Sequence, residues 1–132
     1  MKFVALQEES PAPEKDALAQ EYENAVDFTP ARIGAERFFF KSGRRVYHIP
    51  LAAVTRCFRR VELVNARMGC CNQGIPMESV VLCGDGEKEL AQIRLGSERM
   101  GVALLDALKT ACPNAQFGYE RPPEQTTAVR QI

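Results

Sequence analysis

The stretch FFFKSGRRVYHIPLAAVTRCFRRVELVN, residues 38–65, decides the fold class of this chain. It is rich in aromatic and β-branched residues, which favour strands. Residues 37–41 and 45–49 flank a short polar segment that contains Gly43, a spacing typical of a β-hairpin. Pro50 then interrupts the ladder, because proline has no backbone N–H to donate. The first half of the stretch therefore predicts two antiparallel strands.

The second half of the stretch begins another set of strands. Residues 54–65 read as one longer strand, whose alternation fails at Arg59 and Arg60 and so predicts a β-bulge or a twisted edge there. Residues 78–83 and 90–95 flank a Gly-Asp-Gly sequence, which favours the positive φ angles of a tight hairpin. Five strands in succession are expected, joined mostly by hairpin turns.

One helix is predicted on each side of these strands. Ser97 is a good N-cap, apolar residues recur at three and four residue steps over residues 100–111, and Pro113 ends the pattern. A shorter amphipathic helix is predicted over residues 14–26, with acidic residues in its first turn. The fold class is therefore α+β, with a sheet covered by a C-terminal helix.

The composition is that of an ordinary folded domain. The 132 residues are 45% hydrophobic and 26% charged, and five cysteines form an odd set with no repeated spacing. No apolar run reaches the length of a membrane helix or a secretory signal, so we expect a single soluble, cytoplasmic domain without a transmembrane segment. We also expect reduced thiols, because the cysteines show no pairing pattern, and no cofactor.

Positive charge is concentrated in one part of the chain. Residues 1–31 hold two Lys and seven Asp or Glu, whereas residues 32–67 hold nine Lys or Arg against two Glu. Residues 68–132 hold six basic and eight acidic residues. We expect the acidic N-terminal segment to fold back over the basic surface, since a tethered segment has a high effective concentration.

The run quoted above, followed by Gly-Cys-Cys, resembles a group of uncharacterised bacterial domains of the pleckstrin-homology-like (PH-like) type. The resemblance covers residues 33–119. It implies a bent antiparallel sheet or partly open barrel closed by a C-terminal helix. It divides the chain into an acidic segment with a short helix at 1–30, a PH-like domain at 31–119 and a flexible polar tail at 120–132.

The same resemblance implies binding without catalysis. In the lipid-binding relatives, the loop after the first strand carries a sequence signature. It consists of a lysine and, further along, three consecutive positions: a basic residue, any residue and an arginine. Here the segment from Lys41 to Val46 lacks the closing arginine, which counts against phosphoinositide binding. The expected partner is a protein, a peptide or another acidic ligand.

The candidate ligand-binding residues are basic side chains on the predicted strands and hairpin loop: Lys41, Arg44, Arg45, Arg59 and Arg60. Arginine presents a planar fork that suits carboxylate and phosphate groups. Adjacent strand residues point to opposite faces, however, so Arg59 and Arg60 do not share one pocket. A salt-bridged or solvated sheet face is the alternative for these residues. Nucleic acid is not expected, since the net charge is zero.

Cysteine chemistry is the second function class that the sequence leaves open. Cys70 and Cys71 are adjacent in a predicted loop, residues 68–76, and would need further ligands from distant strands to hold a metal. His48 is the one histidine, inside a predicted strand, and no catalytic motif accompanies it. We therefore expect a binding module and not an enzyme, with a metal-binding or redox protein as the alternative.

Overall fold

The computed structural model describes residues 2–65 and 74–120, and within them the fold is α+β. The helices are α1 (Lys15–Asn24) and α2 (Glu98–Ala111). The strands are β1 (Lys2–Ala5), β2 (Val26–Phe28), β3 (Ala31–Ile33), β4 (Arg37–Ser42), β5 (Arg45–Pro50), β6 (Arg56–Asn65), β7 (Gly74–Cys83), β8 (Glu89–Leu95) and β9 (Gln116–Glu120).

The first sheet has the order β1-β5-β4-β3-β2. Strands β2 to β5 form an antiparallel meander, and β1 adds to its edge parallel to β5. The predicted hairpin between β4 and β5 is confirmed: Ser42 pairs with Arg45 across a two-residue turn. Gly43 in that turn has φ +61°, a conformation that favours glycine.

The second sheet has the order β8-β7-β6-β9. Strands β6, β7 and β8 are antiparallel, and β9 returns after α2 to lie parallel to β6. The predicted hairpin between β7 and β8 is confirmed, but its connection is longer than a tight turn. It contains a short 3-10 turn, Asp85–Glu87, in which Gly86 has φ +72°.

The main core lies between the two sheets and α2. Fully buried side chains come from the inner face of each sheet, Phe38 and Ile49 from the first and Val80 and Leu82 from the second. Helix α2 contacts β6, β7 and β8 of the second sheet and β2 of the first. It begins after Ser97, whose Oγ accepts a hydrogen bond from the Met100 N–H at 3.3 Å, as predicted.

A smaller core lies on the opposite face of the first sheet, under α1. Leu18 and Tyr22 of the helix pack on Phe39 and Val46, with Phe3 of β1 at the margin. The N-terminal 30 residues thus contribute β1, α1 and β2 to the first sheet and its covering layer.

Two expectations about the strands are wrong. The sheets are mixed and not purely antiparallel, because β1 and β9 pair in parallel with β5 and β6. The two sheets do not form a closed barrel. The β6–β7 pairing runs without a bulge at Arg59; the register shift lies between Leu82 and Cys83, in the β7–β8 pairing. The alternation of apolar and polar residues along β6 fails because the charged Arg59 lies on the inner face, where it pairs with the buried Glu78.

Strand β7 begins at Gly74, inside the predicted loop of residues 68–76. Its preceding residues, with Cys70 and Cys71, lie outside the described part of the chain. The predicted polar tail, residues 120–132, also lies outside it, apart from Glu120 at the end of β9.

Candidate functional site

Three of the predicted site residues lie together at the tip of the β4–β5 hairpin. Lys41, Arg44 and Arg45 are all exposed, and within the described residues none of them forms an ion pair. Lys41 and Arg45 point to opposite faces of the first sheet, as their pairing register requires, and Arg44 occupies the turn. The tip therefore presents positive charge on two faces and at its end.

A fourth cation, Arg32, extends this group along one face. Arg32 and Lys41 line the same recess of about 340 Å³, together with Asp27 and Tyr22. The guanidinium of Arg32 lies 4.3 Å from the centre of the Tyr22 ring, and its Nη1 donates to the Tyr22 carbonyl at 3.0 Å. We call Arg32, Lys41, Arg44 and Arg45 the basic end. The sequence analysis missed Arg32, whose position depends on β3 pairing with β4.

Arg59 is bound inside the molecule. Its Nε donates to Glu78 Oε2 at 2.6 Å, and its Nη2 to Glu78 Oε1 at 3.2 Å and Glu98 Oε1 at 3.2 Å. These hydrogen bonds raise the pKa of Arg59 further above its usual value. Arg59 thus joins the second sheet to the first turn of α2, and its Nε and Nη2 donate to carboxylates.

Arg60 lies on the outer face of the second sheet and is also paired. Its guanidinium makes a bidentate contact with Glu89, at 3.2 and 2.7 Å, and donates to Gln92 Oε1 at 3.2 Å. Hydrogen bonding to Arg60 lowers the pKa of Glu89. Arg59 and Arg60 thus lie apart from each other and from the basic end. Both form ion pairs, as the salt-bridged alternative predicts.

A second polar cluster, on the α1 side of the first sheet, joins Glu9, Arg37 and His48. Arg37 donates to both Glu9 oxygens, at 3.0 and 2.6 Å, and its Nη1 lies 3.1 Å from His48 Nδ1. The hydrogen bond from Arg37 lowers the pKa of Glu9, and burial, followed by the nearby Arg37 charge, lowers the pKa of His48. No local sequence signal connects these residues, because Glu9 is 28 residues from Arg37.

This cluster is the one place where the acidic N-terminal segment meets the basic segment through a described ion pair. Glu9 neutralises Arg37, and Glu21 Oε2 accepts from the backbone N–H of Arg37 at 2.7 Å. At the basic end, Asp27 of the same segment pairs with Arg32 across β2 and β3 and lines the recess that Arg32 and Lys41 share. Lys41, Arg44 and Arg45 form no ion pair among the described residues, so masking of these three cations stays a prediction.

The described cysteines lie in the core. Cys57, Cys83 and Cys112 are buried and free. Burial raises the pKa of Cys57 to about 12 and that of Cys112 to about 11. Within residues 2–65 and 74–120, no group of three or more His, Cys, Asp or Glu side chains is arranged to hold a metal ion. Cys70 and Cys71, the alternative site, remain a prediction, since they are outside this part of the chain.

The raised pKa values predict very slow thiol chemistry at Cys57 and Cys112. At pH 8, far less thiolate is expected at Cys57 than at a free cysteine, and burial also blocks access. Native protein treated with iodoacetamide should therefore retain both thiols, as read by peptide mass spectrometry. Protein unfolded in urea, the control, should lose them rapidly. Alkylation of native Cys57 at the rate of an exposed thiol would contradict this prediction.

A groove also runs beside the C-terminal half of α2. Two cavities of about 550 and 480 Å³ adjoin there and share Ala35 and Ala111. Val26 of the edge strand β2 contributes an apolar side chain that is 62% exposed. The groove carries no charged side chain at its apolar end, in contrast to the basic end.

The chain was compared with protein-family models, curated proteins and solved structures, and none of the three comparisons finds a match. Among the helices of the described residues, neither is long and apolar enough to cross a membrane.

Proposed function

We propose that this chain is a non-enzymatic, PH-like binding module that holds an acidic segment of a partner protein on its basic end. The observation that carries the proposal is a contrast among the cations. Arg37, Arg59 and Arg60 each form a close ion pair with a carboxylate, whereas Lys41, Arg44 and Arg45 are exposed and form none within the described residues. Unpaired cations on one surface attract an acidic partner.

The arrangement of the cations favours an extended peptide over a flat membrane. Lys41 and Arg45 point to opposite faces of the hairpin, so a ligand must follow the surface around the tip to contact both. A peptide chain does this, while a bilayer meets only the tip. The exposed residues at that tip are Ser42, Gly43 and Arg44, which offer no apolar side chain for insertion into lipid.

The architecture supports the PH-like part of the proposal. An antiparallel meander of β2 to β5 is followed by a second meander of β6 to β8, and α2 comes directly after the last of these strands. This is the order that the resemblance implies, a bent antiparallel sheet closed by a C-terminal helix. Strands β1 and β9 are additions at the sheet edges.

The non-enzymatic part of the proposal is supported by the placement of the reactive side chains. His48 is buried and bonded to Arg37, and the thiols of Cys57 and Cys112 have raised pKa values. A catalytic cysteine needs the opposite environment, one that lowers its pKa and leaves it accessible.

The proposal predicts that charge reversal at the hairpin weakens binding. Arg44→Glu combined with Arg45→Glu should weaken binding of a fluorescent poly-glutamate peptide by at least about tenfold, because two attractive contacts become repulsive. The measurement is fluorescence anisotropy at low salt. Wild-type affinity should also fall as salt is added, since these charges are exposed.

The matched control makes the same change of charge elsewhere. Arg94→Glu combined with Arg99→Glu alters two exposed arginines of β8 and α2 and should leave the affinity within about twofold of wild type. Equal losses in both variants would show that only net charge matters and would overturn the site. Binding to phosphatidylserine vesicles but not to the peptide would replace the protein partner by a membrane surface.

A further inference from the structure

A separate cavity lies on the α1 side of the first sheet, away from the hairpin tip. It has a volume of about 360 Å³, within the range of small-molecule sites. Its walls are mostly apolar, and its charged side chains are two exposed lysines. The lining residues are Lys2, Phe3, Ala5, Ala12, Pro13, Lys15, Leu18 and His48.

His48 is the buried polar group of this cavity, with 3% of its side chain exposed. Its Nδ1 lies 3.1 Å from Arg37 Nη1, which is a donor only, so Nδ1 must accept this hydrogen bond. A neutral imidazole then carries its proton on Nε2. Glu9 fixes the arrangement, because its bidentate contact with Arg37 holds the guanidinium in place.

The Nε2–H of His48 has no hydrogen-bond partner among the described residues. Among the described residues, every fully buried side-chain nitrogen or oxygen has a hydrogen-bond partner. Because Nε2 has none, it is not fully buried. His48 lines the cavity, and from this and the exposure of Nε2 we infer that Nε2–H faces it. The cavity thus combines one oriented, neutral donor, apolar walls and two lysines.

We propose that this cavity binds a small amphipathic acid, an apolar body that carries a single carboxylate or phosphate group. An anionic oxygen accepts the His48 Nε2–H, Lys2 and Lys15 neutralise its charge, and Phe3 and Leu18 contact the apolar body. Carboxylate side chains are absent from the lining, and Glu9, the carboxylate beside His48, is already neutralised by Arg37. A neutral or cationic ligand would leave the lysines without a counterpart.

The test uses the fact that His48 is the only histidine of the chain, so its ring signals in NMR spectra need no assignment. The free protein should show the neutral Nε2–H tautomer. Benzoate, added up to about 10 mM to detect a Kd on the order of 1 mM, should shift the ring ¹⁵N signals saturably. Benzamide, the neutral isostere, should bind at least about fivefold more weakly. Phenyl phosphate and inorganic phosphate distinguish a phosphate from a carboxylate ligand and test whether the apolar body is needed.

Exposed residues provide variants that leave the fold intact. Lys2→Ala combined with Lys15→Ala should weaken benzoate binding at least about fivefold, while Lys88→Ala combined with Lys109→Ala should not change it. The proposal is overturned if benzoate shifts the His48 signals no more than chloride does at equal ionic strength, or if both lysine variants bind benzoate equally. Because neither lysine pair belongs to the basic end, this result is independent of peptide binding there.

Discussion

Replacing Leu104 with alanine is expected to lower the free energy of unfolding by about 2 to 5 kcal/mol. The Leu104 side chain is 0% exposed and lies in the core that both sheets and α2 share. Alanine would remove its contacts and leave a cavity between the two sheets and α2. The surrounding residues belong to three packed layers and have little freedom to move into that cavity. Denaturant unfolding followed by circular dichroism measures the change.

The control for this prediction is Val102→Ala, two residues earlier on the same helix. Val102 is 39% exposed, so the change should stay within about 0.5 kcal/mol. A Leu104→Ala protein with an unchanged denaturation midpoint and slope would mean that α2 is peripheral, and the described architecture would then be wrong.

Replacing Gly101 with alanine is expected to destabilise the protein by about 2 kcal/mol or more, although alanine normally stabilises a helix interior by about 1 kcal/mol. A Cβ at this position would lie 2.7 Å from both Cγ and Cδ of Glu78. Glu78 is 6% exposed and is held by Arg59 at 2.6 and 3.2 Å. The new methyl group must displace this carboxylate, which weakens a buried ion pair.

A double-mutant comparison separates the clash from helix propensity. In a Glu78→Ala background the obstacle is absent, so Gly101→Ala should become neutral or stabilising by up to about 1 kcal/mol. Urea midpoints of the four proteins give the comparison. A single Gly101→Ala variant as stable as wild type would show that Glu78 is free to move, contrary to its hydrogen bonding.

The elements that sequence reasoning predicted well are those with strong local signals. Helix α2 has a cap, a continuous apolar stripe and a terminating proline, and its observed bounds agree with these signals. The two hairpins have glycine in their turns and β-rich segments on both sides. Such signals act between residues close in the chain, so they are visible without knowledge of the fold.

The short strands and the parallel strands had no such signal. Strands β2 and β3 have three residues each, too few for alternation to be recognised. Strands β1 and β9 are stabilised by parallel pairing with β5 and β6, distant in sequence. A parallel pair requires a long connection, and nothing in either partner's sequence identifies the other.

The candidate sites divide in the same way. The grouping of the hairpin cations Lys41, Arg44 and Arg45 is predictable from the sequence, because a two-residue turn brings its flanking residues together by local geometry. The contact of Arg59 with Glu78, and the link that Arg37 makes between Glu9 and His48, are visible only in the folded chain. These partners are 11 to 28 residues apart, and their contact depends on pairing between strands and on the path of the N-terminal segment. Charge alone identifies a cation in a sequence, but the partner that neutralises it is chosen by packing.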